Sequence, residues 1–259
     1  MAENPEYWPV SGVNLSVSII QCYVGATMVA SASGFFFRHN HKKYLATNRH
    51  VVIDDEEHYF PDRLAIRLHR SITNPELNVV VPVSLYDDHH QRLWLEHPAQ
   101  ELLKCDVVLV PLPEVAIAGA HINFMAVENF PDSRLNVPPF SDVVVVGYPL
   151  GFHDEVNNLP IYRQGMIASP YPSMFERKPY FLIDARLHSG SSGSAVLNSP
   201  HNILTRNKAG FHSDQALLLG IFSADFSSNE DPLGLNIVWY SHLLVEIAEG
   251  RARAPRRMG

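Results

Sequence analysis

The sequence predicts an all-β protein whose strands fall into two groups of about six each. Three observations lead there. Short runs rich in Val, Ile, Leu, Phe and Tyr recur along the chain, separated by turn signals such as "RHNHKK", "SITNPE" and "YDDHHQ". Long amphipathic helices are scarce. A stretch from Leu112 to Ser141 carries few strand signals and includes the proline-rich "FPDSRLNVPPF", so it reads as a connection between two units. Residues alone leave open whether the units are sandwiches or a pair of barrels.

The first group reads in order as "LSVSIIQCYV", "TMVASASGFFFRH", "KKYLATN", "RLAIRLHR", "LNVVVPVSLY", "RLWLEH" and "DVVLVPL". The second reads as "DVVVVGYP", "IYRQGMIAS", "YFLIDARL", "GSAVLN", "ALLLGIFSA" and "LNIVWY". "PAQELLK" has room for a turn or two of helix. "SHLLVEIAEG" spaces Leu243, Leu244 and Ile247 for a short C-terminal helix, with Ser241 as N-cap and Gly250 as stop. The expected organisation is an N-terminal extension (1–15), a first β-unit (16–111), a connection (112–141), a second β-unit with the helix (142–249) and a basic tail (250–259).

Composition bounds the function. Hydrophobic residues make up 46% and charged residues 18% of 259, as in an ordinary globular enzyme with a full core. A formal charge of −7 gives no basic field for nucleic acid, and "RARAPRRMG" reads as a solvated tail. No apolar run approaches a membrane span, and "MAENPEYWPVSG" lacks the features of a secretion signal. Cys22 and Cys105 then read as two buried free thiols, and the expected location is the cytoplasm, with no membrane partner.

The chemistry is concentrated in "RLHSGSSGSAVLN", Arg186 to Asn198. A flexible linker is polar on both sides, but this Gly/Ser knot sits between two apolar runs. A sharp small-residue turn between core strands is a place to hold up a nucleophile. A serine hydroxyl needs a histidine to take its proton and a carboxylate to orient that histidine. His50 leaves the apolar strand of "YLATNRHVVID", and Asp106 opens the strand of "LLKCDVVLVPL". Ser192 is favoured over Ser189, Ser191 and Ser194 by its position against the following strand. Asp87 and Asp88 are alternative carboxylates, but they sit in a polar turn. His39 and His41 in "HNH" and the "DDHH" cluster hold ligand-type side chains without the spacing of a zinc site, so no metal and no cofactor are expected.

These segments resemble the trypsin-like, chymotrypsin-fold serine peptidases, in the bacterial form with HtrA-like motifs. "SGFFFRHNHKKYLATNRHVV" is similar to the elements that deliver the catalytic histidine, and its "TNRHVV" follows the form T-x-x-H-V. "DVVLVPL" is similar to the strand of the aspartate, "VVVVGYPLG" to the strand opening the second barrel, and "IDARLHSGSSGSAVLN" to the nucleophile loop. The resemblance runs from about Ser16 to Glu249 and leaves no length for a PDZ domain after Gly250. It implies two six-stranded antiparallel β-barrels with His50 as general base, Asp106 orienting it and Ser192 attacking. Backbone N–H groups of Gly190 and Ser192 would form the oxyanion hole.

Departures from the family carry information too. Ser191 stands where secreted digestive members carry the Asp that pairs with a new N-terminus, so no zymogen switch of that kind is expected. Ser194 replaces a glycine. The resemblance implies a substrate pocket between Asp184–Ser189 and Gly220–Phe226, with Arg186, Ser189, Phe222, Ser223 and Asp225 as lining candidates. Arg186 turned inward would favour an acidic residue before the cut; turned outward it is an ordinary solvated charge. The partner expected is a protein or peptide substrate, with restraint by substrate choice, a closed loop or a regulatory protein.

Two other classes compete. An α/β-hydrolase esterase needs its serine on a strand–turn–helix ahead of the acid and histidine, whereas here the serine comes last. A latent or inactive trypsin-fold peptide-binding module would have no reason to keep all three residues, although a distorted oxyanion loop would leave it silent.

Overall fold

A computed structural model describes residues 12–131, 137–138, 140–198, 216–228 and 231–251. Residues 1–11 of the expected extension, 132–136 and 139 of the connection and 252–259 of the basic tail lie outside them.

The N-terminal half is a seven-stranded antiparallel sheet: β1 (Val17–Val24), β2 (Thr27–His39), β3 (Lys42–Thr47), β4 (Arg63–His69), β5 (Asn78–Ser84), β6 (Leu95–Glu96) and β7 (Val108–Pro111). Their spatial order is β5-β4-β1-β2-β3-β7-β6. Two-residue turns fix the register of its first three strands. Gly25 (φ 56°) turns β1 into β2, and Asn40 and His41 (φ 45° and 65°) turn β2 into β3 with the positive φ pair that matches strand twist. "HNH" is thus a hairpin corner.

The C-terminal half is a closed six-stranded barrel, ordered β10-β13-β12-β11-β8-β9. Its strands are β8 (Asp142–Gly147), β9 (Ile161–Ile167), β10 (Tyr180–Asp184), β11 (Ala195–Asn198), β12 (Leu218–Ser228) and β13 (Asp231–Tyr240), and β9 pairs with β10 to close the ring. Two six-stranded barrels were expected, so the first half differs. Its two edges, β5 and β6, are joined by a hairpin instead of a ladder: Tyr86 bridges Arg92, and Leu93 N–H donates to Leu85 O at 2.9 Å. Most of "RLWLEH" belongs to that hairpin, which leaves β6 only Leu95 and Glu96 to pair with β7.

Three apolar clusters hold the fold. One fills the first sheet around Ile20, Phe36, Leu45, Leu64 and Ile66. Another fills the barrel around Val143, Val145, Phe181, Val196 and Val238. The third joins the halves and includes Phe35, Phe37, Leu109, Tyr148, Leu182 and Ile221. The unbroken apolar runs "GFFF" and "YFLI" follow from this. Phe35 and Phe37 face the joining cluster while Phe36 faces the sheet interior; Tyr180 and Leu182 face it while Phe181 and Ile183 face the barrel interior. Alternation in hydrophobicity vanishes where both faces of a strand are buried.

Short helices complete the chain: α1 (Arg49–Val52), α2 (Gln100–Leu103), α3 (Glu114–Ile117) and α4 (Leu243–Glu249). α4 begins one residue later than expected, with His242 at the N-cap, and ends at Gly250 with φ 63°. It follows the barrel yet packs on the first sheet. Leu243, Leu244 and Ile247 enter the joining cluster, and His97 Nε2 meets Glu246 Oε2 at 2.9 Å in a buried contact. Among the described residues no helix is long and apolar enough to cross a membrane. Cys22 and Cys105 are both free and buried, and burial pushes the Cys22 thiol up to about 11.

Candidate active site

β3 and β7 pair with Thr47 opposite Val108, so the chain leaving one runs beside the chain entering the other. Asn48 locks the two exits by donating from Nδ2 to Asp106 O at 2.7 Å. His50 follows on the single turn of α1. The Asp106 carboxylate then grips it twice: Oδ1 accepts the His50 backbone N–H at 2.9 Å, and Oδ2 accepts from Nδ1 at 2.7 Å. A carboxylate only accepts, so the proton sits on Nδ1 and a neutral ring presents Nε2 as a base. Burial opposes a charge on the ring, but the hydrogen bond to Asp106 and the charges of Asp106 and Asp54 outweigh it. The His50 pKa therefore lies above its ordinary value.

The Gly/Ser loop joins β10 to β11. Gly190 and Gly193 adopt φ of +84° and +85°. A Cβ on Gly190 would lie 2.8 Å from Leu150 N, and one on Gly193 would lie 2.1 Å from Ser33 O, so both positions demand glycine. Of the four serines, Ser191 and Ser194 are buried, Ser189 is exposed and Ser192 is half-buried. Ser192 Oγ donates to Ser223 O at 3.2 Å. The Ser223 hydroxyl donates in turn to Asp106 Oδ2 at 2.6 Å. Ser223 is thus the residue on which Ser192 and the His50–Asp106 pair converge. Among the hydrogen bonds of the described residues, none joins Ser192 to His50.

The backbone of this loop is pinned carbonyl by carbonyl. Leu150 N–H donates to Ser189 O at 2.6 Å, and Ser194 N–H to Ser191 O at 2.9 Å. In a trans peptide the following N–H points opposite its carbonyl. The amides of Gly190 and Ser192 therefore both face away from these anchors, and among the described residues neither donates to a protein acceptor.

The remaining pocket candidates differ in exposure. Arg186 and Asp225 are exposed, whereas Phe222 is buried in the barrel cluster. Asn236, which the sequence reading passed over, lies opposite Ile183 on β10 and Asp225 on β12. Its Nδ2 donates to Ala185 O at 2.7 Å, tying β13 to the start of the nucleophile loop. An Asn inside the apolar "LNIVWY" was the available signal, since buried amides need partners. The alternative carboxylate Asp87 caps its own turn, accepting from the N–H groups of His89 and Gln91. His39 contacts Glu249.

A family model described as a trypsin-like peptidase domain matches residues 32–204, more than half of the chain. No curated protein sequence matches. Among solved structures, the serine endoprotease from Yersinia pestis aligns with a TM-score of 0.52 at 18% identity, covering 93% of this chain and 66% of that one. The HtrA-type protease AlgW with tripeptide aligns at 0.51 and 16% identity, covering 93% of this chain and 63% of that one. Rv3671c from M. tuberculosis H37Rv, in the inactive form of a serine-to-alanine mutant, aligns at 0.50 and 14% identity, covering 98% and 99%. At such identities the likeness is one of fold.

Proposed function

We propose that this chain, which belongs to the trypsin-like peptidase family, is a serine endopeptidase acting through His50, Asp106 and Ser192. The observation that carries the reading is the double grip of Asp106 on His50, facing the same Ser223 that holds Ser192. In the reaction Ser192 Oγ exchanges its hydrogen bond to the Ser223 carbonyl for one to His50. It attacks the substrate carbonyl as His50 Nε2 takes its proton, and Asp106 stabilises the imidazolium. The amides of Gly190 and Ser192 receive the oxyanion. His50 returns the proton to the leaving amine, and water then releases the acyl group by the same route in reverse.

The exposed Arg186 supplies no buried cation to favour an acidic residue before the cut. A latent peptide-binding module is the second reading, favoured by the Ser192–Ser223 hydrogen bond. The two outward-facing amides weigh against it, since a silent oxyanion loop has at least one of them turned away.

A fluorophosphonate probe at pH 7.5 tests the reading. Wild type is expected to label, and Ser192→Ala and His50→Ala are expected not to. Labelling that survives Ser192→Ala names the wrong serine, and a folded wild type that does not label favours the module.

A further inference from the structure

We propose that the Ser33 hydroxyl is a positioning group for the oxyanion loop, holding Gly190 in register from the opposite half of the molecule. The inference rests on the serine endopeptidase reading.

Ser33 lies in the middle of β2, and its relative exposure is 0%. It reaches the nucleophile loop twice. Its backbone N–H donates to Ser192 O at 2.9 Å, and its hydroxyl donates to Gly190 O at 2.8 Å. The same hydroxyl accepts from Tyr148 N–H at 2.8 Å, which brings in the chain leaving β8. Thr47 Oγ1, at the end of the strand that leads to His50, donates to Ser33 O at 2.9 Å. Every carbonyl from 189 to 192 is therefore held. Leu150 N–H takes the first and Ser194 N–H the third, and Ser33 takes the second and fourth.

These anchors differ in one respect. Three come from backbone N–H groups, which almost any residue supplies. The anchor on Gly190 is a side chain and depends on serine at position 33. Gly190 is also the residue in most need of an anchor. It has no Cβ and a left-handed φ, so its flanking peptides are the easiest in the loop to rotate. The surroundings are shaped for the hydroxyl: a Cβ on Gly147 would stand 2.7 Å from Ser33 Oγ, so glycine there keeps the space open. Removing the hydroxyl leaves Gly190 O and Tyr148 N–H unpaired in a buried place and loosens the Gly190–Ser191 peptide, which joins the two peptides whose amides receive the oxyanion.

Ser33→Ala isolates this contact, because its backbone N–H still serves Ser192 O. The test measures kcat and KM on a cleavable peptide, together with affinity for a peptide boronate, which forms the tetrahedral adduct, and for the product peptide. The expected result is a fall in kcat of about 10- to 100-fold, less than the loss of a direct oxyanion donor. KM and product affinity stay within twofold, and boronate affinity falls in step with kcat. Ser33→Thr, which keeps the hydroxyl, restores most of the turnover. If Ser33→Ala does not fold, Ser33→Cys carries the same test with a weak donor of similar shape. An active wild type matched within twofold by the hydroxyl-deleted variant overturns the role of Ser33 alone. So does a parallel loss of boronate and product affinity, which marks general collapse of the cleft. A wild type with no turnover and no probe labelling overturns the endopeptidase reading and this inference together.

Discussion

The two halves hold their parts of the candidate site in different ways. On the first sheet, side chains do the holding: Asn48 ties two strand exits together, and Asp106 grips His50 at ring and backbone. On the barrel, the loop around Ser192 is held mostly by backbone groups and by two left-handed glycines, with the Ser33 hydroxyl of the other half anchoring Gly190. The first arrangement fixes a charge and a tautomer, and the second fixes the direction of two amides. One half is thus vulnerable to loss of a functional group, the other to gain of a single carbon.

The sharpest break in that contrast is chemical. Ser192→Ala and His50→Ala should each lower kcat by about a million-fold, read with a chromogenic ester or peptide. Asp106→Asn should leave the fold intact and cost about 10⁴-fold, because an amide no longer enforces the proton on Nδ1.

The glycines test the other half. Gly193→Ala places a Cβ 2.1 Å from Ser33 O at a φ of +85°. Backbone strain of about 1–3 kcal/mol and overpacking of about 1–3 kcal/mol should lower the thermal midpoint markedly and silence the loop. Gly25→Ala is the matched control: φ is +56° but nothing lies within 4 Å, so only the backbone cost of about 1–2 kcal/mol applies. Equal midpoints for the two variants would erase the distinction between a crowded glycine and a merely twisted one.

A smaller effect is expected in pH dependence. The base form of His50 is the reactive one, so the acid limb of kcat/KM should fall above the ordinary histidine value of about 6.5. Folding raises this pKa. The His50–Asp106 pair therefore stabilises the fold below about pH 6.5, and that increment is lost as pH climbs through the folded value. Thermal midpoints of wild type and His50→Ala measured from pH 5 to 9 should converge accordingly. The smallest effect is for Arg186→Ala: an exposed charge should change neither stability by more than about 0.5 kcal/mol nor the preference profile of a peptide library.

The sequence made the strands legible, and His50, Asp106 and Ser192 each sit beside an apolar run, although His50 stands out among the histidines only because "TNRHVV" follows the family form T-x-x-H-V. It did not reveal that the first sheet stays open, since "RLWLEH" has strand composition whether it pairs or turns. Nor did it reveal Ser33. A serine between Ala32 and Gly34 in a β-run looks like any small filler, and its meaning comes from a loop 157 residues away. Nor did the sequence show that the hydroxyl of the pocket candidate Ser223 binds Asp106, because composition does not say which way a hydroxyl points. Local pattern reports where chain is buried; contacts between distant segments decide what a buried polar group is for.

The helix α4 carries a consequence for biosynthesis. It is made after the whole barrel, yet it covers the first sheet beside Phe37 and Leu109 and brings Glu246 to His97. On the ribosome, the first half stands with that face bare until residues 243–249 have emerged. A nascent chain stopped short of them lacks the part of the joining cluster that Leu243, Leu244, Val245 and Ile247 supply.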